Sequence, residues 1–371
     1  MSLGKGFFRK SACTRAGEEG AFAAVMIEAL WKSPDVVLPE EHPELVAWLA
    51  GHAEFAGHVV FKTSGSSGVE KWVALSKEAM EWSARRVIEA LGMSDADVCG
   101  LALPIVHVGG FGLALRAHLS GAGLVEFRGK WSAMEFGEWC GREGVTVSSL
   151  VPTQVSDLVA AGAQAPGCLR VVVVGGGVLK TELATEARNL GWPVVPSYGM
   201  TETSAQIATG DGLPLLEGWE VRLENERLAV KGGGLLSAVI TRDGGSFQAH
   251  DPKVDGWYLT QDRVELNGRN LRILGRADRQ VKVLGKLVDL EMLEGFWREK
   301  LGCEVALVAR PDERRGAGIY LYLEGDDSGI EAANLELPGP ERVLAWQVLK
   351  KLPRSPLGKV DRRSLLTIPI N

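Results

Sequence analysis

A chain of 371 residues, 46% hydrophobic and 24% charged, has the composition of a folded globular protein and is long enough for two domains. A formal net charge of −6 gives no electrostatic drive toward nucleic acid, and no apolar run approaches the roughly 20 residues of a membrane span. The five cysteines, Cys13, Cys99, Cys140, Cys168 and Cys303, form no C-x-x-C pair, which argues against a zinc site or disulfide framework and for buried reduced thiols.

The opening stretch, Met1 to Lys10, is basic but leads into no apolar core or cleavage site, so a cytoplasmic protein without a secretory signal is expected. Helical periodicity covers Phe22 to Trp31 and Pro43 to Ala50. His58 to Phe61 reads as a short buried strand, Thr63 to Lys71 as a small-residue loop, and Trp72 to Leu75 as the returning strand. Ser76 then caps a helix reaching Leu91. From Val98 to Val195 strands alternate with helices. The strands are Leu101 to Leu103, Gly123 to Phe127, Val145 to Val147 and Val171 to Val174, with helical spacing at Ser132 to Arg142 and Pro152 to Ala161. That alternation predicts a mostly parallel sheet covered on both faces. Leu213 to Ile273 is short, glycine-punctuated and strand-like, which predicts a small antiparallel subdomain. A hinge is expected near Gly275 to Asp278. Beyond it come a strand (Gln280 to Leu284), a helix (Leu290 to Leu301) and two more strands (Glu304 to Ala309, Ile319 to Leu323). The expected class is α/β: a large N-terminal domain over 1–275, with covered mostly parallel sheets and a small β subdomain, and a small mobile α+β domain over 276–371.

The loop Thr63-Ser64-Gly65-Ser66-Ser67-Gly68-x-x-Lys71 collects hydroxyls, unobstructed backbone N–H groups and a cation, the parts needed to wrap a polyphosphate. It is not a Walker loop, because Trp72 follows Lys71 and the glycine spacing differs. A Ser/Gly loop by itself is more often a flexible turn. Further motifs follow it. Gly175-Gly176-Gly177 precedes the strand Val194-Val195, which leads into Pro196-Ser197-Tyr198-Gly199-Met200-Thr201-Glu202-Thr203. Then come Gly256-Trp257-Tyr258-Leu259-Thr260-Gln261-Asp262, Gly275-Arg276-Ala277-Asp278-Arg279-Gln280-Val281-Lys282, and Leu352-Pro353-Arg354-Ser355-Pro356-Leu357-Gly358-Lys359-Val360-Asp361-Arg362.

In this order, over residues 58–365, the motifs resemble the adenylate-forming superfamily of acyl- and aryl-CoA synthetases, luciferases and peptide-synthetase adenylation domains. The wording of Ser197 to Thr203, with Gln206 behind it, is most similar to the o-succinylbenzoate–CoA ligase branch of menaquinone biosynthesis. So is Leu103-Pro104-x-x-His107-Val108-Gly109-Gly110. The resemblance implies an ATP- and Mg²⁺-dependent ligase that makes an acyl-adenylate and passes the acyl group to coenzyme A.

By that resemblance, Lys359 is the catalytic lysine reaching the substrate carboxylate and the α-phosphate, where negative charge gathers in the transition state. Glu202 holds Mg²⁺, a hard cation suited to oxygen ligands. Thr201 and the loop Thr63, Ser64, Gly65, Ser66, Ser67, Gly68 and Lys71 contact phosphate. Asp262 accepts from the ribose hydroxyls with Arg276 beside it, Tyr198 stacks on adenine with Gly199 and Met200 following, and Gly175, Gly176 and Gly177 line the adenine edge. His107, expected at a strand end, borders the acyl pocket with Ser197. Arg116 lies in the apolar stretch Phe111 to Ala117, where a guanidinium either snorkels to water or meets an anion. o-Succinylbenzoate has a second carboxylate to offer it. The small domain is implied to rotate about Asp278 between the two half-reactions.

Three features depart from the superfamily pattern. The segment before the phosphate loop is short, Gln261 replaces the usual glycine before Asp262, and Lys231-Gly232-Gly233-Gly234 stands where a Gly-Glu pair is common. The alternatives are a ligase for another aryl or fatty acid, transfer to a carrier-protein arm, and a non-catalytic homologue. The partners expected are a small carboxylic acid and coenzyme A, with no nucleic acid, and a homodimer is compatible with the sequence.

Overall fold

The computed structural model describes residues 27–40, 42–63, 70–354 and 359–370. The start of the Phe22 to Trp31 helix, Cys13 and the loop residues Ser64, Gly65, Ser66, Ser67 and Gly68 lie outside that range. The chain forms two compact units. The first comprises Met1–Val221, Val230–Tyr258 and Asn267–Leu271, and the second Arg222–Ala229, Leu259–Leu266 and Arg272–Asn371. No helix of the described residues is long and apolar enough to cross a membrane.

In the first unit β1 (His58–Thr63) and β2 (Glu70–Ser76) pair antiparallel, placing Thr63 opposite Lys71 at the loop end. Ser76 caps the following helix, Lys77–Leu91, by accepting from Ala79 N–H at 3.1 Å. Then come β3 (Val98–Leu101), β4 (Gly123–Glu126), β5 (Val147–Leu150), β6 (Val171–Val174), β7 (Val194–Tyr198) and β8 (Ala208–Thr209). They form one sheet in the order β4-β3-β5-β6-β7-β8, parallel except for the β7–β8 pair. The period of two along β6 shows why both faces are covered. Val171 and Val173 join a core with Phe61, Val73, Phe111 and Leu113, while Val172 and Val174 face Phe136, Trp139 and Trp192.

Two strands sit a few residues from their expected places. β3 ends at Leu101 and not Leu103. β5 begins at Val147 because the preceding helix, Ala133–Glu143, takes Val145 into its exit: Gly144 is left-handed and Val145 N–H donates to Cys140 O at 2.9 Å. Leu213 to Ile273 divides between two sheets. Ala238–Asp243 adds to β2, with Val239 opposite Val73, and Ser246–His250 pairs on its far side. Glu220–Glu224, Arg227–Lys231, Tyr258–Asn267 and Asn270–Arg276 form a separate four-stranded sheet. Alternation marks a strand without naming its partner, and the partner of Ala238–Asp243 lies far upstream.

The second unit contains a three-stranded sheet of Val305–Asp312, Gly316–Leu323 and Val343–Val348, the first pair antiparallel and the second parallel. Val305 and Leu307 pack with Leu293 and Trp297 of the helix Leu290–Leu301. Ala306 and Val308 face the other way, onto Leu352 and Leu365 of the C-terminal segment. The cysteines of the described chain are all free. Cys99 and Cys140 are buried, Cys168 and Cys303 half-buried.

Candidate functional site

In the first unit the strand order reverses between β3 and β5, so the crevice at the C-terminal ends of the parallel strands is where a ligand is expected to bind. Several residues singled out from the sequence lie at the same C-terminal edge, on the neighbouring strands β6 and β7. Gly175, Gly176 and Gly177 follow β6, and Ser197 and Tyr198 end β7, with the Ser197 hydroxyl donating to Val174 O at 3.1 Å.

After β7 the backbone makes a tight turn through Gly199, Met200 and a 3₁₀ segment, Thr201–Thr203. A Cβ on Gly199 would stand 1.6 Å from Ala205 O, so only glycine fits. Thr203 Oγ1 accepts from Met200 N–H at 3.1 Å and closes the turn. Ser204 and Ala205 sit at φ 54° and 96°, a conformation costing a non-glycine residue on the order of 1–3 kcal/mol. Strain held in place this way gathers at functional turns. The carbonyl of Glu202 accepts from Leu236 N–H at 2.9 Å, and its carboxylate accepts from Lys71 Nζ at 3.0 Å. Both partners of that ion pair are partly accessible, Lys71 more than Glu202. The end of the small-residue loop and the Thr201–Thr203 turn are therefore brought together by charge.

His107 lies at a helix start and not at a strand end. It is the N-cap of Val108–Ser120, and its N–H donates to Pro104 O at 3.1 Å. A Cβ on Gly110 would meet that same carbonyl at 2.4 Å, so this turn also requires glycine. Arg116, within the helix, is 2% exposed, so it does not snorkel to water. No carboxylate of the described residues pairs with it, and its Nε has no hydrogen-bond partner. Burial pushes its guanidinium down to about 10, while proximity to the Cys99 thiol acts weakly the other way. A Cβ on Gly112 would stand 3.4 Å from one Arg116 guanidinium nitrogen and 3.7 Å from the Ala205 Cβ.

In the second unit Asp262 is buried and its carboxylate accepts from Arg276 Nη1 at 3.3 Å. Arg276 also holds Asp278 through two contacts of 2.8 Å, and its backbone N–H donates to Glu291 Oε2 at 2.9 Å. Asp278 chiefly, with Asp262, Glu291 and against its own burial, raises the Arg276 guanidinium above its ordinary range. Burial raises the Glu291 carboxyl. Lys359 belongs to the same charge set: burial of its ammonium and the nearby Arg276 lower it below the usual lysine range, and Asp262 acts in the opposite direction. The residue as a whole is exposed.

The structure thus brings together Lys71 with Glu202, and Asp262 with Arg276 and Lys359. Glu291 as a partner of Arg276 was not anticipated, since its place on the helix Leu290–Leu301 looks like an ordinary acidic first turn.

The family profile described as AMP-binding enzyme matches residues 58–227. The 2-succinylbenzoate–CoA ligase of Salmonella typhimurium is 31% identical over 316 residues, covering 82% of this chain and 67% of that one. The 2-succinylbenzoate–CoA ligase of Bacillus licheniformis is 27% identical over 353 residues, covering 85% and 70%. Among solved structures, the o-succinylbenzoate CoA synthetase of Bacillus subtilis in complex with its acyl-adenylate intermediate matches with a TM-score of 0.71 at 24% identity, covering 84% of this chain and 69% of that one. The same enzyme is also known in complex with ATP and magnesium ion.

Proposed function

This chain belongs to the family of AMP-binding enzymes, and we propose that it ligates o-succinylbenzoate to coenzyme A through an acyl-adenylate. The observation that carries the choice of acid is Arg116, a buried cation with no carboxylate partner among the described residues. An acid with two carboxylates can present one to Arg116 and leave the other to react. His107 and Ser197 border the same pocket.

In the first half-reaction a carboxylate oxygen attacks the α-phosphorus of ATP and pyrophosphate leaves. Lys359 supplies positive charge to the substrate carboxylate and the α-phosphate oxygens, Asp262 takes the ribose hydroxyls with Arg276 beside it, and Tyr198 stacks on adenine against Gly175, Gly176 and Gly177. Lys71 and Thr201 contact phosphate with the rest of the loop, so Lys71 leaves Glu202 when nucleotide arrives. In the second half-reaction the coenzyme A thiol loses its proton and attacks the acyl carbonyl, and AMP leaves. No covalent nucleophile of the protein is needed. The small domain, 276–371, pivots about Asp278 between the two steps.

Glu202 suits a magnesium ion that arrives on the nucleotide. Among the described residues no group of three or more acids, histidines or cysteines is gathered to hold a metal by itself, and magnesium commonly takes one carboxylate plus phosphates and water. When bound, it neutralises charge on the phosphate oxygens. We place the enzyme in the cytoplasm, acting on small molecules; a homodimer is compatible with this reading.

The test is pyrophosphate release from ATP and Mg²⁺ with o-succinylbenzoate, benzoate or octanoate, with and without coenzyme A. Release with o-succinylbenzoate alone, followed by a coenzyme A-dependent thioester, is the expected result. Release with another acid would move the substrate, and an adenylate never transferred to coenzyme A would point to a carrier-protein acceptor. Silence across the panel with ATP still bound would make the chain a non-catalytic homologue.

A further inference from the structure

Glu294, on the helix Leu290–Leu301, is 1% exposed and takes no part in the chemistry above. Its Oε1 accepts from Arg279 Nη2 at 2.7 Å, Leu307 N–H at 2.9 Å and Arg362 Nε at 3.2 Å. Its Oε2 accepts from Arg362 Nη2 at 2.8 Å and Arg298 Nη2 at 3.2 Å. So complete a shell makes a buried carboxylate tolerable, and it also makes the acid a junction.

The three arginines lead to different places. Arg298 is on the same helix, one turn along. Arg279 directly follows Asp278. Arg362 opens the helix Arg362–Thr367, capped by Asp361, and Lys359 lies just ahead of it, next to Val360, whose backbone bridges to Arg354. Asp361 N–H donates to Pro353 O at 2.7 Å, and the far end of this helix is held by Arg310 Nη2 and the Tyr322 hydroxyl, which donate to Ile368 O at 2.9 and 3.0 Å. Besides the Val360 bridge and the Asp361 contact, the described chain after Lys359 is thus held through this helix, whose N-terminal side chain is tied to Glu294.

We propose that Glu294 is a positioning residue for Lys359, holding the lysine-bearing segment through Arg362 and joining it, through Arg279, to the backbone beside Asp278. The inference rests on the ligase reading, since it assigns Glu294 no role except in adenylation. Removing the charge leaves three guanidiniums facing one another, so Arg362 withdraws and the start of the helix loosens. Lys359 remains in the protein but no longer arrives at one place.

A double-mutant cycle tests this in the full-length chain, with pyrophosphate exchange into ATP in the presence of o-succinylbenzoate as the readout. Glu294→Gln should slow exchange by roughly tenfold to a hundredfold, the range a small misplacement of a reacting group can cost, with the KM for ATP nearly unchanged. In a Lys359→Ala background the same change should cost less than about twofold, because coupled residues do not act independently. Arg298→Ala, which breaks a contact leading nowhere near Lys359, should leave exchange as it was. Should Glu294→Gln fail to fold, Arg362→Gln leaves the acid paired with Arg279 and Arg298 and enters the same cycle. An undiminished loss in the Lys359→Ala background, or an equal loss from Arg298→Ala, would overturn the proposal and leave Glu294 a fold-holding acid only. A wild-type chain that catalyses no pyrophosphate exchange with any acid of the panel removes the ligase reading and this inference with it, which separates the two failures.

Discussion

A guanidinium 2% exposed among apolar neighbours is expensive to keep, and the Arg116 charge persists although burial lowers its pKa to about 10. Replacement should therefore move activity and stability in opposite directions. Arg116→Met should raise the KM for o-succinylbenzoate roughly tenfold or more, the loss of a charge-assisted contact. It should also stabilise the fold by about 1–4 kcal/mol, as apolar replacements of buried charges often do. Steady-state kinetics and thermal unfolding check the two halves, and an unchanged KM would remove Arg116 from the acid pocket. Lys359→Ala should slow adenylation by about 10²–10³, the effect of removing one electrostatic stabiliser, and pyrophosphate exchange measures it. Arg116 and Lys359 could both be picked out of the sequence, one as a charge set in an apolar run and the other by its motif. Glu294 and Glu291 could not. On a helix with an acidic start and basic end they read as solvent-facing charges, and only the packed unit shows Glu294 buried and Glu291 under the Arg276 backbone.

Asp97 and Arg170 clip several elements together. Arg170 Nε and Nη2 donate to the two Asp97 oxygens at 2.7 Å each, Nη1 to Leu91 O at 2.7 Å and Nη2 also to Gly92 O at 3.2 Å, so the end of the helix Lys77–Leu91 is tied to the start of β3. Thr146 completes the clip, its hydroxyl donating to Asp97 and accepting from Val98 N–H. Arg170, followed by the Ser94 N–H and Thr146 and against burial, holds the Asp97 carboxyl well below the usual carboxylate range. A lowered native pKa means stability that is fully present above about pH 4 and lost as pH falls through the native value. Asp97→Asn should cost about 1–3 kcal/mol near neutrality, less than a fully buried pair because Arg170 is partly exposed. In urea unfolding that gap should narrow as pH drops from about 5 toward 2; a gap independent of pH would assign the effect to packing. At this scale the alternation of strand and helix from Val98 to Val195 was readable in the sequence. What local pattern could not supply was pairing between distant segments, as between β2 and Ala238–Asp243, or the last turn of a helix reaching into the next strand at Val145.

For the whole molecule, a pivot at Asp278 makes a kinetic claim. Proline there restricts Ala277 and removes both contacts to Arg276, so Asp278→Pro should slow one half-reaction roughly tenfold more than the other. Pyrophosphate exchange and thioester formation from supplied acyl-adenylate measure the two separately, and equal losses would argue against a pivot. The partition of the chain has its own consequence. The backbone passes between the two units at 221/222, 229/230, 258/259, 266/267 and 271/272, so the smaller unit is not a terminal appendage. Asp262 and Arg263 come from an upstream strand and are joined to Arg276 and Asp289 of the downstream segment at 3.3 and 2.7 Å. A gene fusion that grafted only the last hundred or so residues of a relative onto this chain would import a foreign lysine while keeping the native ribose acid. For modular exchange, the inheritable block is therefore the set Arg222–Ala229, Leu259–Leu266 and Arg272–Asn371 together.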